Sequence, residues 1–355
     1  MASDEERNQS PVGFGPYRFV EWIPGQYWKI ERYAGYVPAP GTTEAQPAAI
    51  GAVQAVWRGE PTVRAAMAQA GEADLVYDIG VENIDAVPVA KSGGSAEVIA
   101  HTIDTLWHPA LKNVKVRQAL VYAIDCQAIV DSLYAGLTIC RGNVSPPGTL
   151  GITERNNTPF PYDPEKARQL LQEAGYAGEE IFLYGRGSRI PNAVEVYEAL
   201  VNYWREVGVN ASVHVVESSI RQGLQQTGCG RTAEPLLCAE LGPGEPTFAS
   251  AHIFDNAISG ETLDFGRQAR RYMDCLTGPS HYCDPERAQP LVDQALAATG
   301  EERRQLLEQL ADIMHDDVLM IPLFDYLVVW GLSEELEWEP RWDRRIRFKN
   351  MSFTK

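Results

Sequence analysis

Basic residues and long apolar runs are both scarce in this sequence, and each shortage excludes a class of function. Lysine and arginine number 31 against 48 aspartate and glutamate, a net charge of −17. A field of that sign repels phosphate backbones and anionic lipid surfaces, so nucleic-acid binding is excluded as the main role. No window approaches the roughly 18 to 20 consecutive apolar residues of a spanning helix. The opening MASDEERNQS is polar and acidic where a secretory leader is basic and then apolar, so no signal peptide is expected in this chain.

Catalytic and cofactor motifs are missing too. There is no CxxC, which sets aside zinc ribbons and thioredoxin-like redox centres. No GxSxG elbow, HExxH pair, P-loop or strand-linked GxGxxG occurs, so neither an enzyme nor a bound cofactor is expected. The six histidines, at 101, 108, 214, 252, 281 and 315, are scattered singly, and a lone histidine is more often a surface or satisfied core residue than a ligand. His281 beside Cys283, with Cys275 nearby, is the one cluster of ligand types. It reads as a disulfide plus a bystander rather than a metal site or a cysteine nucleophile.

What is present is ordinary globular material. Hydrophobic residues make up 45% and charged residues 22% of 355. At roughly 150 residues per domain that length allows two or three cores. The six cysteines permit disulfides without requiring them. Cys275 and Cys283 bracket a turn-rich LTGPSHY and are the candidate pair, either bridged or free. Cys126 sits in a helical pattern and is expected to be a lone thiol, unless the fold returns Cys140 to it.

Aromatic alternation from Tyr17 to Trp22 and a second run, Tyr27 to Arg32, predict a hairpin across Pro24-Gly25. Its aromatics are expected to serve packing rather than ligand stacking. Val63, Ala66, Met67 and Ala70 predict a helix ending at Gly71, followed by a buried strand near 73–77. Residues 114–134 predict one long amphipathic helix ended by Gly136. Asp163-Pro164-Glu165 opens a helix that Gly175 closes, and a helix over 194–207 leads into a strand over 211–216. Between Gly223 and Gly278 the pattern dissolves, as in stretches that carry function or line a cleft. Thr299 and Glu302 suggest a capping box for a helix through Met314, which hands over at Pro322 to an apolar strand over 323–330, and the tail from Leu336 onward, with Trp338, Trp342, Ile346 and Phe348, reads as a last strand returning to a sheet. The acidic pairs Asp316-Asp317 and Glu334-Glu335 read as solvated faces.

The run VKVRQALVYAIDCQAIVDSLYAG at 114–136 resembles the signature helix of the family 5 solute-binding proteins of ABC importers, the oligopeptide, dipeptide and nickel-binding type. Ser145-Pro146-Pro147-Gly148 and PYDPEKARQLLQEAGY at 161–176 are similar to the loop and helix that follow in that family. PVGFGPYRFVEW at 11–22 resembles its return strand, with Phe14 in place of threonine, and the stretch 291–324 its late helix and hinge strand. The resemblance covers nearly the whole chain from Pro11. It implies an α/β, two-lobe periplasmic-binding-protein-like fold of type II, without the N-terminal part of the first lobe and the small extra domain. Residues 1–12 are then a disordered tail, 13–106 a partial lobe I, 107–322 lobe II with the ligand, and 323–355 a return to lobe I.

By the same resemblance the chain captures a peptide or similar small solute between its lobes by hinge closure. Its partners are ABC permease subunits, its location is extracytoplasmic, and Trp107 and Trp330 flank the hinge as candidate ligand contacts. The family carries a Gly-Trp-x-x-Asp segment whose aspartate holds a bound peptide's α-ammonium. Here that stretch reads Cys238-Ala239-Glu240-Leu241-Gly242-Pro243-Gly244-Glu245-Pro246, so tryptophan is replaced by Ala239 and aspartate by Gly242. An ammonium without a paired charge is costly to bury, which leaves Glu240 and Glu245 as the acidic candidates. The rival reading is a truncated or repurposed scaffold that acts as a protein-interaction subunit without solute binding, with a second polypeptide supplying the missing lobe.

Overall fold

The computed structural model describes residues 11–38, 48–93, 95–106, 108–187, 189–219, 253–260, 262–275 and 281–354. Trp107, Glu240 and Glu245 lie outside them, as does nearly all of the expected tail. Strands along the chain are β1 (Tyr17–Ile23), β2 (Tyr27–Arg32), β3 (Ala52–Val56), β4 (Leu75–Tyr77), β5 (Val89–Gly93), β6 (Glu97–Ile103), β7 (Ile181–Gly185), β8 (Ala211–Val215), β9 (Ile253–Ser259), β10 (Met320–Asp325), β11 (Val328–Leu332), β12 (Leu336–Glu337) and β13 (Ser352–Phe353). The chain divides into two compact units, 1–93 with 328–355, and 94–327.

In the first unit β1, β2 and β3 form an antiparallel meander, and β11 pairs with β4 and β5 in a second small sheet. The hairpin aromatics pack as expected in part. Tyr17 and Trp28 set their edges against Phe348, while Trp22 stays 45% exposed. Phe348 itself lies in a short 3-10 helix, Phe348–Asn350, so the tail expected as one last strand from Leu336 onward is instead two short strands, β12 and β13, that pair with each other. Trp330 is buried in β11, edge-on to Tyr77 at 4.8 Å and to Trp338 at 4.9 Å.

The second unit is built on a five-stranded sheet in the order β10-β6-β9-β7-β8. β6 is buried along its whole length, which places Glu97 to Ile103 firmly in this unit. The division therefore falls at 93/94 rather than after 106. At the far end, the expected strand over 323–330 is two strands in different units, because β10 pairs with β6 and β11 with β4 and β5. β7 and β8 run parallel, joined by the helix Ala193–Glu206, which buries Val196, Leu200, Val201 and Trp204. The long helix expected over 114–134 is instead α1 (Val114–Tyr122) and α2 (Cys126–Tyr134). Asp125 breaks it, because its carboxylate accepts from the Ala128 N–H and starts a new first turn. Pro164–Ala174 is a single helix, capped by Asp163 on the Lys166 N–H and closed by Gly175 in the left-handed region. Gly300–Asp316 is helical, but Thr299 makes no side-chain cap, so the expected capping box is not formed; Glu301 in the first turn pairs with Arg304 instead. Asp316 and Asp317 are ion-paired with Arg155 and Arg287 rather than simply solvated.

Among the described residues two disulfides tie this unit. Cys275 pairs with Cys283, and Cys126 pairs with Cys140, which corrects the lone-thiol expectation. Cys140 returns because residues 139–141 run along the edge of β10, where Arg141 N donates to Leu323 O and Asp325 N to Ile139 O. His108 is buried, its Nδ1 accepting from the Leu111 N–H at 3.2 Å and its Nε2 donating to Glu180 O at 3.0 Å. That pattern needs the neutral ring.

The bridge Cys126–Cys140 closes a loop for which chain entropy gives about 3 kcal/mol. The double variant Cys126→Ser/Cys140→Ser is expected to lose about that much in urea denaturation, and an unchanged midpoint would contradict the account. Burial pushes the His108 pKa below its usual value. Its contribution is then fully present above the unfolded pKa of about 6.5 and is lost as pH falls toward the depressed folded value. An NMR titration of the ring should give a midpoint below the ordinary histidine range.

Candidate functional site

Carboxylates inside apolar strands set the geometry of the second unit. Glu97 opens β6 before Val-Ile-Ala, Asp255 lies within β9, and Asp325 closes β10. Their side chains are 7%, 3% and 9% exposed, depths at which an ionised group needs a cation beside it. Three arginines supply it. Arg186 directs Nε and Nη2 onto Asp255 Oδ2 at 2.9 and 2.7 Å. Arg189 pairs with Glu97, and Arg141 forms a fork on Asp325, with Nε to Oδ1 at 2.8 Å.

The strand order turns these pairs into a row. β10, β6 and β9 are neighbours, and the residues following β7 carry Arg186 and then Arg189. Asp255 faces His101 in the ladder while Glu97 faces Ser259, so the segment after β7 steps from the level of Asp255 to the end of β6. The segment is held in place by its neighbours. Tyr197 Oη donates to Arg186 O, Tyr134 Oη to Pro191 O, and Asn192 Nδ2 to Leu133 O. Burial raises the Tyr197 pKa far above its usual value, so it stays a phenol and a donor. Gly185, where β7 ends, admits no side chain, because a Cβ there would lie 2.1 Å from the Tyr197 ring. The Cys126–Cys140 bridge links α2 to the segment that carries Arg141.

Chemically, this end of the sheet presents guanidinium edges over buried acids. The arginine side chains are 16–27% exposed and more accessible than their partners. Guanidinium forks suit carboxylate recognition. It is also the end where the chain enters the unit at 94 and leaves it at 327. Among the described residues no group of three or more histidine, cysteine or acidic side chains is placed to hold a metal, and no helix is long and apolar enough to cross a membrane.

None of these six residues stood out in the sequence. The signal was an acid inside an apolar strand run, as in IFDNAIS or IPLFD, where burial forces a partner from elsewhere. Of the residues singled out there, Trp330 is in the first unit's sheet, and the Cys275–Cys283 bridge joins the end of the helix Gly266–Tyr272 to the segment after it.

A two-unit α/β chain with this sheet order has the architecture of periplasmic binding proteins, and solved structures agree. The ABC transporter substrate-binding protein CtaP of Listeria monocytogenes superposes with a TM-score of 0.78 at 18% identity, covering 99% of this chain and 69% of that one. The periplasmic binding protein DppA of Helicobacter pylori, solved with the peptide STSA, gives 0.70 at 20% identity over 98% and 64%. The model of the bacterial extracellular solute-binding proteins, family 5 Middle, matches residues 1–230, and the chain belongs to that family. Among curated relatives, the glutathione-binding protein GsiB of Pectobacterium atrosepticum is 31% identical over 233 residues, 61% of this chain and 43% of its own length. GsiB of Shigella flexneri is 30% identical over 217 residues, 59% of this chain and 41% of its own. The chain thus spans about two fifths of the length of these relatives.

Removing one partner of a buried pair is expected to cost about 3–5 kcal/mol, because the other charge stays behind. Arg186→Met should therefore destabilise strongly in urea, and the double variant Arg186→Met/Asp255→Leu should recover most of the loss. Equal stability of Arg186→Met and the unaltered chain would refute the pairing.

Proposed function

We propose that this chain captures a peptide or similar small solute for an ABC importer, with the solute's carboxylate seated on the arginine row of the second unit. The observation that carries this reading is the set of Arg186, Arg189 and Arg141 at one end of the sheet, in a chain whose family is extracellular and solute-binding. Recognition is by charge and hydrogen bonds, and no covalent step is involved. Each guanidinium is already oriented by a buried acid, so little ordering is lost when a carboxylate arrives. Glu240 and Glu245 are the proposed partners of a solute ammonium, in place of the aspartate that Gly242 replaces, and Trp107 is a proposed apolar contact. Permease subunits are the proposed membrane partner. The relatives named for glutathione and the DppA–peptide complex make a small peptide the solute class to try first.

Native mass spectrometry of the 355-residue chain with glutathione, a dipeptide series and free amino acids tests this directly. A saturable adduct with a matching rise in Tm is expected; a ligand at a hundredfold excess over Kd adds about 2.7 kcal/mol. A bare chain with an unmoved Tm across the series would overturn the reading.

A further inference from the structure

A cavity of about 370 Å³ opens in the second unit at the opposite end of the sheet from the arginine row. Its wall includes Thr105, just past β6, and Asp317, just before β10, whereas Glu97 starts β6 and Asp325 ends β10. The length of β6 separates the cavity from the Glu97 end of the row by roughly 20 Å, and the ladder level of Asp255, opposite His101, is about 13 Å from Thr105. Thr105 is fastened to the 281–286 wall, its N–H and hydroxyl both donating to His281 O, at 3.0 and 2.7 Å.

Arg117 lines this cavity and is 4% exposed. Its Nε donates to Asp317 O at 2.8 Å and Val318 O at 3.2 Å, and its Nη1 to Leu111 O at 2.8 Å and Lys112 O at 3.0 Å. These bonds use the Nε hydrogen and both Nη1 hydrogens. Nη2 has no acceptor among the described residues, and no carboxylate there bonds to this guanidinium. Burial lowers its pKa to about 10, which keeps it charged at neutral pH.

The other charges of the wall sort into engaged and unengaged. Asp284 and Asp317 are both bound by Arg287. Lys112 is exposed, and its ammonium meets no carboxylate among the described residues. Glu286 is exposed, and its carboxylate likewise meets no cation there. Arg287 carries one charge against two acids, and Asp317 also acts on the Arg117 guanidinium, so what remains is a buried guanidinium nitrogen and an ammonium on one side and Glu286 with a share of Asp317 on the other. The complement is a small molecule with one carboxylate and one ammonium. A bare anion would leave Glu286 repelling it, and a bare cation would face Arg117 and Lys112.

We propose that this cavity is a second binding site, distinct from the arginine row, for a small zwitterion of the free α-amino-acid class, with its carboxylate on Arg117 Nη2 and Lys112 and its ammonium toward Glu286. The site is shallow and its polar contacts few, so millimolar affinity is expected.

Saturation-transfer NMR on the full chain with alanine, propionate and ethylammonium is the test. Alanine is expected to bind roughly tenfold more tightly than propionate, and ethylammonium not at all. Because Arg117 also holds four carbonyls, its removal risks the fold, so the informative variants are the exposed Lys112→Gln and Glu286→Gln. Each should weaken alanine several-fold with Tm unchanged, while the paired variant Arg186→Met/Asp255→Leu, which leaves no buried charge behind, should bind alanine as the unaltered chain does. Alanine binding that survives both rim variants and disappears in Arg186→Met/Asp255→Leu would assign it to the arginine row and overturn the proposal. So would alanine binding that none of the variants alters, no tighter than propionate binding, or no binding at all.

Discussion

Glu97 and Asp255 occupy adjacent strands of the second unit's sheet with almost no access to water. An unpaired carboxylate at that depth costs several kcal/mol, and the surrounding structure is arranged to prevent that outcome. The chain leaving β7 must pass close enough to put Arg186 on one acid and Arg189 on the other. Glycine at 185, the buried Tyr197 and the bond from Tyr134 to Pro191 hold it there. The Cys126–Cys140 bridge does similar work on the other side, joining α2 to the edge segment whose next residue, Arg141, grips Asp325.

Continuous acid–arginine pairs of this kind add little net stability, since desolvation offsets most of the attraction. Their use is orientation. Three guanidinium groups with fixed planes at one end of a sheet are a prepared surface for a carboxylate, and the proposed solute site uses it. At the opposite end, Arg117 is held by main-chain carbonyls instead of an acid, and no carboxylate among the described residues bonds to it. The two ends thus differ in what they lack, and so in what they are proposed to bind.

Locally determined elements were legible from the residues alone. Asp163, Pro164 and Gly175 delimit their helix through caps that involve only near neighbours, and the hairpin at 17–32 follows from alternation. The apolar period runs across Asp125 and predicts the middle of a helix there, whereas its carboxylate bonds the nearby Ala128 N–H and starts a new one. β9 escaped notice because IFDNAIS carries Asp255 and Asn256 at positions an isolated strand would not bury. Asn256 is satisfied by Thr102 and Tyr272, and Asp255 by Arg186, and none of these is a sequence neighbour. The arginine row was invisible for the same reason: its pairs join residues 69, 92 and 184 positions apart.

The central claim is that the arginine row takes the solute's carboxylate. The most direct measurement is the arginine Nε–H spectrum of the 15N-labelled chain during titration with glutathione, resolved by single-residue variants. Shifts at Arg186, Arg189 or Arg141 that saturate together with binding, with Arg117 unmoved, are the predicted result. Binding that leaves all three signals unchanged would contradict the account.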